Sequence, residues 1–97
     1  MAESIIKAGT IKIEIPSINI EANSTKTIDL GDYGLPLGSY YLTNAYIGNY
    51  LLPYLGNEGT TFVQSFNKNT RILSIRNNAT AWTNYTLILL FQIIRSN

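Results

Sequence analysis

Residues Asn84–Arg95 read NYTLILLFQIIR, and between Tyr85 and Ile94 only Thr86 and Gln92 are polar. Alternate residues of a β-strand point to opposite faces of a sheet, so this segment is apolar on both faces. A strand buried on both faces belongs in the middle of a two-layer sandwich, or in a sheet whose second face meets another subunit. One face carries Tyr85, Leu87, Leu89, Phe91 and Ile93, and the other carries Ile88, Leu90 and Ile94.

Chain length and composition favour one β-rich domain with few surface charges. The 97 residues are 45% hydrophobic and 13% charged, about half of the roughly 25% charge of an average soluble domain. Uncharged polar side chains and tyrosines must cover much of the surface, and few charges would be desolvated if subunits met there. We expect a single domain over residues 1–97, with residues 1–9 as an extended N-terminal arm.

Several classes of function are disfavoured by what the sequence lacks. The net charge of +1 comes without a basic cluster, so nucleic-acid binding is not expected. There is no cysteine and no histidine, which removes thiolate metal ligands and the usual general base near neutral pH. The acids form no dyad pattern, and Asp29–Asp32 offers too few oxygens for calcium. We therefore expect no enzyme activity, no catalytic residue, no cofactor and no metal.

Neither membrane insertion nor export is expected from the sequence. The apolar run TLILLFQII is too short to span a bilayer as a helix, and Met1–Thr10 lacks the apolar core of a signal peptide. The chain is expected to be soluble when made, and to reach a cell exterior by lysis or assembly.

The first half of the chain alternates short strand patterns with turns. Thr10–Ile15 alternates strictly between isoleucine and polar residues, which predicts a half-buried strand. Pro16 then shifts the apolar parity, which predicts a bulge or a crossover between layers. Thr25–Leu30 is a second strand pattern, and the glycine-rich Gly31–Gly38 predicts a loop between sheets.

The second half predicts further strands and one clear hairpin. Ser39–Gly48 and Tyr50–Leu55 are strand patterns joined at Gly48-Asn49, although Pro53 weakens the second one. Thr60–Phe66 and Thr70–Arg76 flank the turn sequence NKN and predict a hairpin. With about seven to eight short strands and no helical period, the chain predicts an antiparallel β-sandwich of jelly-roll or immunoglobulin-like type.

Aromatic residues in or beside the predicted loops are candidate carbohydrate contacts. Aromatic rings cover the apolar faces of sugar rings, and loops on a rigid sandwich commonly carry binding residues. The favoured alternative for the tryptophan is burial at one end of the sandwich, since its large ring readily buries area. The candidate contacts are Tyr33, Tyr50, Tyr54, Trp82 and the acidic Asp32.

Two segments together resemble a known kind of domain. The run INIEANSTKTIDLG at Ile18–Gly31, and SIRNNATAWTNYTLILLFQII at Ser74–Ile94, resemble the C-terminal β-sandwich domains of bacteriophage tail and receptor-binding proteins. The resemblance covers Ile18 to Ile94 and consists of residue types rather than an invariant signature. The chain departs from a complete receptor-binding protein because it shows no shaft or docking region.

The resemblance implies a virion structural module at a tail fibre, baseplate or head-fibre tip. It implies a homotrimer that contacts other virion proteins, is exposed on the particle and adheres to host-surface carbohydrate. No binding residue is carried over from the family. For the subunit interface we predict Ile88, Leu90 and Ile94, buried by the other sheet or at a three-fold axis. The alternative is a carbohydrate-binding lectin or adhesin unconnected with phage.

Overall fold

The computed structural model describes residues 3–7, 9–38, 40–53 and 60–93, and it is an antiparallel β-sandwich. One sheet has five strands in the order β1–β2–β8–β4–β5, and the other has three in the order β3–β7–β6. The all-β fold predicted from the sequence is confirmed. The strands are β1 Glu3–Lys7, β2 Thr10–Ile20, β3 Ser24–Asp29, β4 Tyr40–Ile47, β5 Tyr50–Leu51, β6 Thr61–Asn67, β7 Ile72–Asn77 and β8 Trp82–Ile93.

Strand β8 contains most of the apolar segment NYTLILLFQIIR. It lies at the centre of the larger sheet, between β2 and β4. Its residues Leu87, Leu89 and Phe91 are fully buried and face the second sheet. They pair in register with three isoleucines of β2, as the apolar alternation of both segments requires. Ile88 and Leu90 alternate with them, face away from the second sheet and are only partly buried by the residues that the structure describes.

The second sheet closes the core with the predicted hairpin. Strands β6 and β7 pair as expected around the NKN turn, and Leu73 and Ile75 are the inward residues of β7. Phe66 reaches across to the larger sheet, where its ring centroid lies 5.2 Å from that of Phe91. The side-chain oxygen of Asn67 accepts hydrogen bonds from two backbone amides of the turn, which holds the hairpin closed.

Two bulges bend the pairing of β2 with β8. One extra residue of β2 lies between the pairs Ile15–Leu87 and Ile18–Tyr85, where Ser17 has a φ of 60°. The bulge predicted at Pro16 is thereby confirmed. A second irregularity follows on β8, where Asn84 has a φ of 61° and its backbone N–H donates to the Asn19 side chain at 2.7 Å. Asparagine tolerates this left-handed conformation better than most residues.

Several sequence-based boundaries differ from the structure. The Gly31–Gly38 loop passes between sheets as expected, but a 3-10 turn at Leu30–Tyr33 opens it. The predicted Tyr50–Leu55 strand is only two residues long, because the next residues turn to the second sheet, where the carbonyl of Pro53 accepts from the backbone of Val63. Residues Glu3–Lys7 form an edge strand on β2 where an extended arm was expected.

Candidate functional site

Two of the predicted carbohydrate contacts, Tyr50 and Trp82, lie together in the structure. Their ring centroids are 5.7 Å apart. The ring of Tyr85 also packs against Trp82, edge-on, with centroids 5.0 Å apart and planes at 79°. We call these three residues the aromatic cluster.

A tight turn between β4 and β5 brings Tyr50 to the cluster. Gly48 has a φ of 60°, a conformation that glycine adopts without steric cost. The Tyr85 ring lies directly against this glycine, so that a Cβ on Gly48 would come within 2.9 Å of Tyr85 Cδ1. The backbone N–H of Gly48 also donates to the Thr86 carbonyl at 2.9 Å. The Tyr85 ring therefore packs directly on the backbone of the β4–β5 turn.

A chain of hydrogen bonds fixes the orientation of Trp82. Its indole Nε1–H donates to the Thr61 hydroxyl at 2.9 Å, and that hydroxyl donates to Asn77 Oδ1 at 2.7 Å. Thr61 and Asn77 are both buried. The amide of Asn77 donates in turn to the carbonyls of Glu21 and Thr80. Trp82 is thus held at one end of the sandwich by a fully paired buried network, which agrees with the packing role weighed for it.

The exposed part of the cluster consists of tyrosine. Tyr50 and Tyr85 are 41% and 42% exposed, while Trp82 is partly buried between them. A contiguous exposed apolar patch, unlike single scattered apolar side chains, marks a candidate binding surface. Rigid aromatic surface with hydroxyl groups at its rim can stack on the apolar face of a sugar ring and hydrogen-bond to it.

Tyr85 is not among the ligand contacts expected from the sequence. Its apolar alternation with Leu87 and Leu89 favoured the core or a subunit contact. The bulge at Asn84 lies beside Tyr85, and the apolar pattern of the sequence does not show where this bulge falls. A tyrosine at the very end of an apolar strand was the only available signal, because a polar hydroxyl favours the rim over the centre of a core.

The other predicted contacts do not belong to the cluster. Tyr33 packs against the core and lines a groove with Ile15 and Lys26, on the 3-10 turn that follows β3. Asp32 is exposed on the same turn. Tyr54 and Ile94 lie outside the described residues.

The outward face of the larger sheet is the second candidate surface. On β8 it carries Ile88 and Leu90, both partly buried, and on β4 Tyr46 pairs with Ile88. Leu51 on β5 pairs with Tyr46 and is 51% exposed. Lys12 and Glu14 of β2 pair with Leu90 and Ile88 at the other side of this row. We call these six residues the outer face.

No group of metal-ligating side chains occurs among the described residues. Within that part of the chain no helix is long and apolar enough to cross a membrane. No known protein family, curated protein or solved structure matches this chain.

Proposed function

We propose that this chain is a non-catalytic virion module of a bacteriophage that forms a homotrimer through its outer face and binds host-surface carbohydrate at its aromatic cluster. The observation that carries the binding half is the contact of Trp82 with two tyrosines that are each about two-fifths exposed. The phage setting is supported by the sequence resemblance alone.

Preorganisation supports a binding role for the cluster. The indole of Trp82 is fixed by its hydrogen bond to Thr61, and Tyr85 is held against Gly48. A ligand that stacks on these rings would immobilise few side chains, so little conformational entropy opposes binding. Tyrosine suits such a site because it has few rotatable bonds and presents both an apolar ring and a hydroxyl.

Assembly through the outer face is supported by its chemistry. Ile88, Leu90 and Leu51 present apolar surface that the second sheet does not cover. The charged residues on this face are Lys12 and Glu14, of opposite sign and two positions apart on one strand. A neighbouring copy can therefore pair its glutamate with this lysine. Neither charge need then be buried without a partner between the copies. A buried unpaired charge is the usual obstacle to an interface of this kind.

The binding half is tested by glycan-array screening of the wild-type chain, followed by titration of the best glycan. Tyr50→Ala is expected to weaken binding about tenfold, equivalent to about 1.4 kcal/mol. Tyr41→Ala is the matched control, since Tyr41 is 51% exposed and pairs with Gln92, away from the cluster. Equal affinity of the Tyr50→Ala variant and the wild type would refute the site.

The assembly half is tested by size-exclusion chromatography with light scattering. The wild type is expected at three times the chain mass of 10.8 kDa. Ile88→Lys is expected to give the monomer with unchanged circular dichroism. If the wild type is a monomer that binds glycan, the trimeric virion proposal is refuted and the lectin or adhesin alternative is favoured. A trimer that the Ile88→Lys variant still forms would exclude the outer face as the interface.

A further inference from the structure

A groove runs between the second half of β2 and β3, separate from the aromatic cluster. It consists of two adjoining hollows of about 210 and 340 Å³ that share Asn19 and Lys26. One wall is the second half of β2 and the other is β3. The first hollow is lined by Ile15, Pro16, Ser17, Ile18, Ile28 and Tyr33 in addition to the shared pair.

The groove exists because β2 and β3 belong to different sheets although a short turn joins them. Among the described residues, strand β3 pairs only with β7, and its other edge is open. Strand β2 pairs with described residues of β1 only as far as Glu14. From Ile15 onward, the described residues leave the corresponding edge of β2 open as well. Open edges present unpaired backbone N–H and C=O groups that can receive another strand.

The groove floor is the least covered part of the core. Ile15, Ile18 and Ile28 are each 6% exposed, whereas Ile11 and Ile13, the preceding inward residues of β2, are at most 1% exposed. An apolar side chain placed over this floor would remove that remaining surface from water.

Lys26 is the charged residue of the first hollow and also lines the second. It shares the inward side of β3 with Ile28, two positions along the strand. Among the described residues, its ammonium group has neither a hydrogen-bond partner nor an ion-pair partner.

We propose that this groove binds an extended peptide that adds as a strand to the open edge of β3. The residue of the peptide directly opposite Lys26 is acidic, and the residue opposite Ile28 is aliphatic. Directly opposed residues of neighbouring strands lie on the same face of a sheet. The peptide therefore carries an acidic and an aliphatic residue two positions apart, in an order set by the direction of the added strand.

The charge of Lys26 makes this addition selective. An inward-pointing lysine on an edge strand opposes pairing with a purely apolar strand, because its charge would be buried without a partner. A strand that brings a carboxylate to the same place removes this penalty. Lys26 thus disfavours the addition of a purely apolar strand and favours the binding of an acidic peptide. This site is independent of the carbohydrate site proposed above.

The test is selection of a display library of random nonapeptides on the folded wild-type chain, followed by fluorescence anisotropy of the enriched peptides. Enriched peptides are expected to share an acidic and an aliphatic residue two positions apart. Lys26→Gln is expected to weaken their binding at least fivefold. Replacing the peptide's acid by its amide should give the same loss, and the two changes together should lose no more than either alone.

Two controls separate this site from the rest of the molecule. Lys12→Gln removes the same charge from the outer face of β2, and Tyr50→Ala alters the aromatic cluster, and neither should change peptide affinity. The proposal is overturned if no peptide is enriched, if the enriched peptides lack the acidic residue, or if Lys26→Gln binds them as well as the wild type. It is also overturned if a synthetic peptide of residues 24–29 binds as tightly as the enriched ones, because the occupant would then be a second copy of this chain.

Discussion

Replacing Asn77 with alanine is expected to lower the free energy of unfolding by about 3 to 4 kcal/mol. Asn77 is fully buried. Its Nδ2 donates to the carbonyls of Glu21 at 3.0 Å and Thr80 at 3.1 Å. Its Oδ1 accepts from the Thr61 hydroxyl at 2.7 Å and from the backbone N–H of Ala79 at 3.0 Å. One amide therefore joins the β2–β3 turn, the start of β6 and the β7–β8 loop.

The magnitude follows from counting these bonds. Each contributes about 1 kcal/mol net, and a buried group left without a partner costs about 1 to 3 kcal/mol. The hydrogen bonds of the Glu21 and Thr80 carbonyls to this amide are only partly buried, so water can reach both carbonyls after truncation. Most of the penalty for an unpaired buried group therefore falls on the Thr61 hydroxyl. For a domain of this size, a loss of about 3 to 4 kcal/mol lowers the melting temperature by about 12 to 32 °C.

Guanidinium unfolding followed by fluorescence measures the effect directly, because Trp82 is the only tryptophan and its indole ends this hydrogen-bond chain. Asn19→Ala is the control. That side chain is exposed and accepts one backbone bond, from Asn84, so about 1 kcal/mol or less is expected. A loss below about 1 kcal/mol for Asn77→Ala would show that the network does not hold this end of the sandwich together.

Asn77→Asp adds a test of the donor side of the amide. An ionised carboxylate there would face the Glu21 and Thr80 carbonyls, so burial and these oxygens should raise the pKa of the introduced carboxyl in the folded chain. A group whose folded pKa is raised binds its proton more tightly in the folded than in the unfolded state. The variant should therefore be most stable below pH of about 4 and lose stability as the pH rises through the raised folded pKa. A variant whose stability relative to wild type did not change with pH would contradict this assignment.

Further substitutions test three separate features. Burial raises the pKa of the Tyr40 phenol, so the unfolded chain releases this proton at a lower pH than the folded chain. The free energy of unfolding should therefore fall above a pH of about 10. Tyr40→Phe should abolish that part of the pH dependence, as measured by denaturant titrations. Gly48→Ala should cost about 1 to 2 kcal/mol through its positive φ and the Tyr85 ring, and the loss should shrink in a Tyr85→Ala background. Leu89→Ala should cost about 3 to 4 kcal/mol, and Leu90→Ala, on the outward side, about 1 kcal/mol; equal losses in calorimetry would contradict the assignment of the two faces.

The sandwich could be predicted because its signals are local. Strict alternation at Ile11–Ile15 and the apolar run at Leu87–Phe91 indicate strands whichever way the chain folds, since side-chain periodicity depends only on strand geometry. The NKN turn similarly fixes its own hairpin, because asparagine side chains bond to neighbouring backbone amides. Each of these features needs no knowledge of a distant residue.

The candidate sites depend on distant residues and were predicted only in part. Tyr50 and Trp82 could each be named from their place beside turns, but their contact depends on how β5 and β8 meet. Tyr85 joins them beside the bulge at Asn84, where the sequence is polar and has no apolar alternation from which a one-residue bulge could be read. The groove at Lys26 was not foreseen for the same reason, since it arises where two adjacent strands enter different sheets.

The central place of β8 also determines the order in which the chain can fold. The five-stranded sheet has β8 between β2 and β4, and the Gln92 side chain bonds to the Gly9 carbonyl across 83 positions of sequence. Until residue 93 has left the ribosome, β2 and β4 lack their central partner, and the edge of each strand that pairs with β8 stays open. Such distant pairing makes folding slow relative to proteins of local topology. High expression at elevated temperature should therefore favour inclusion bodies, and slower synthesis or lower temperature should raise the soluble yield.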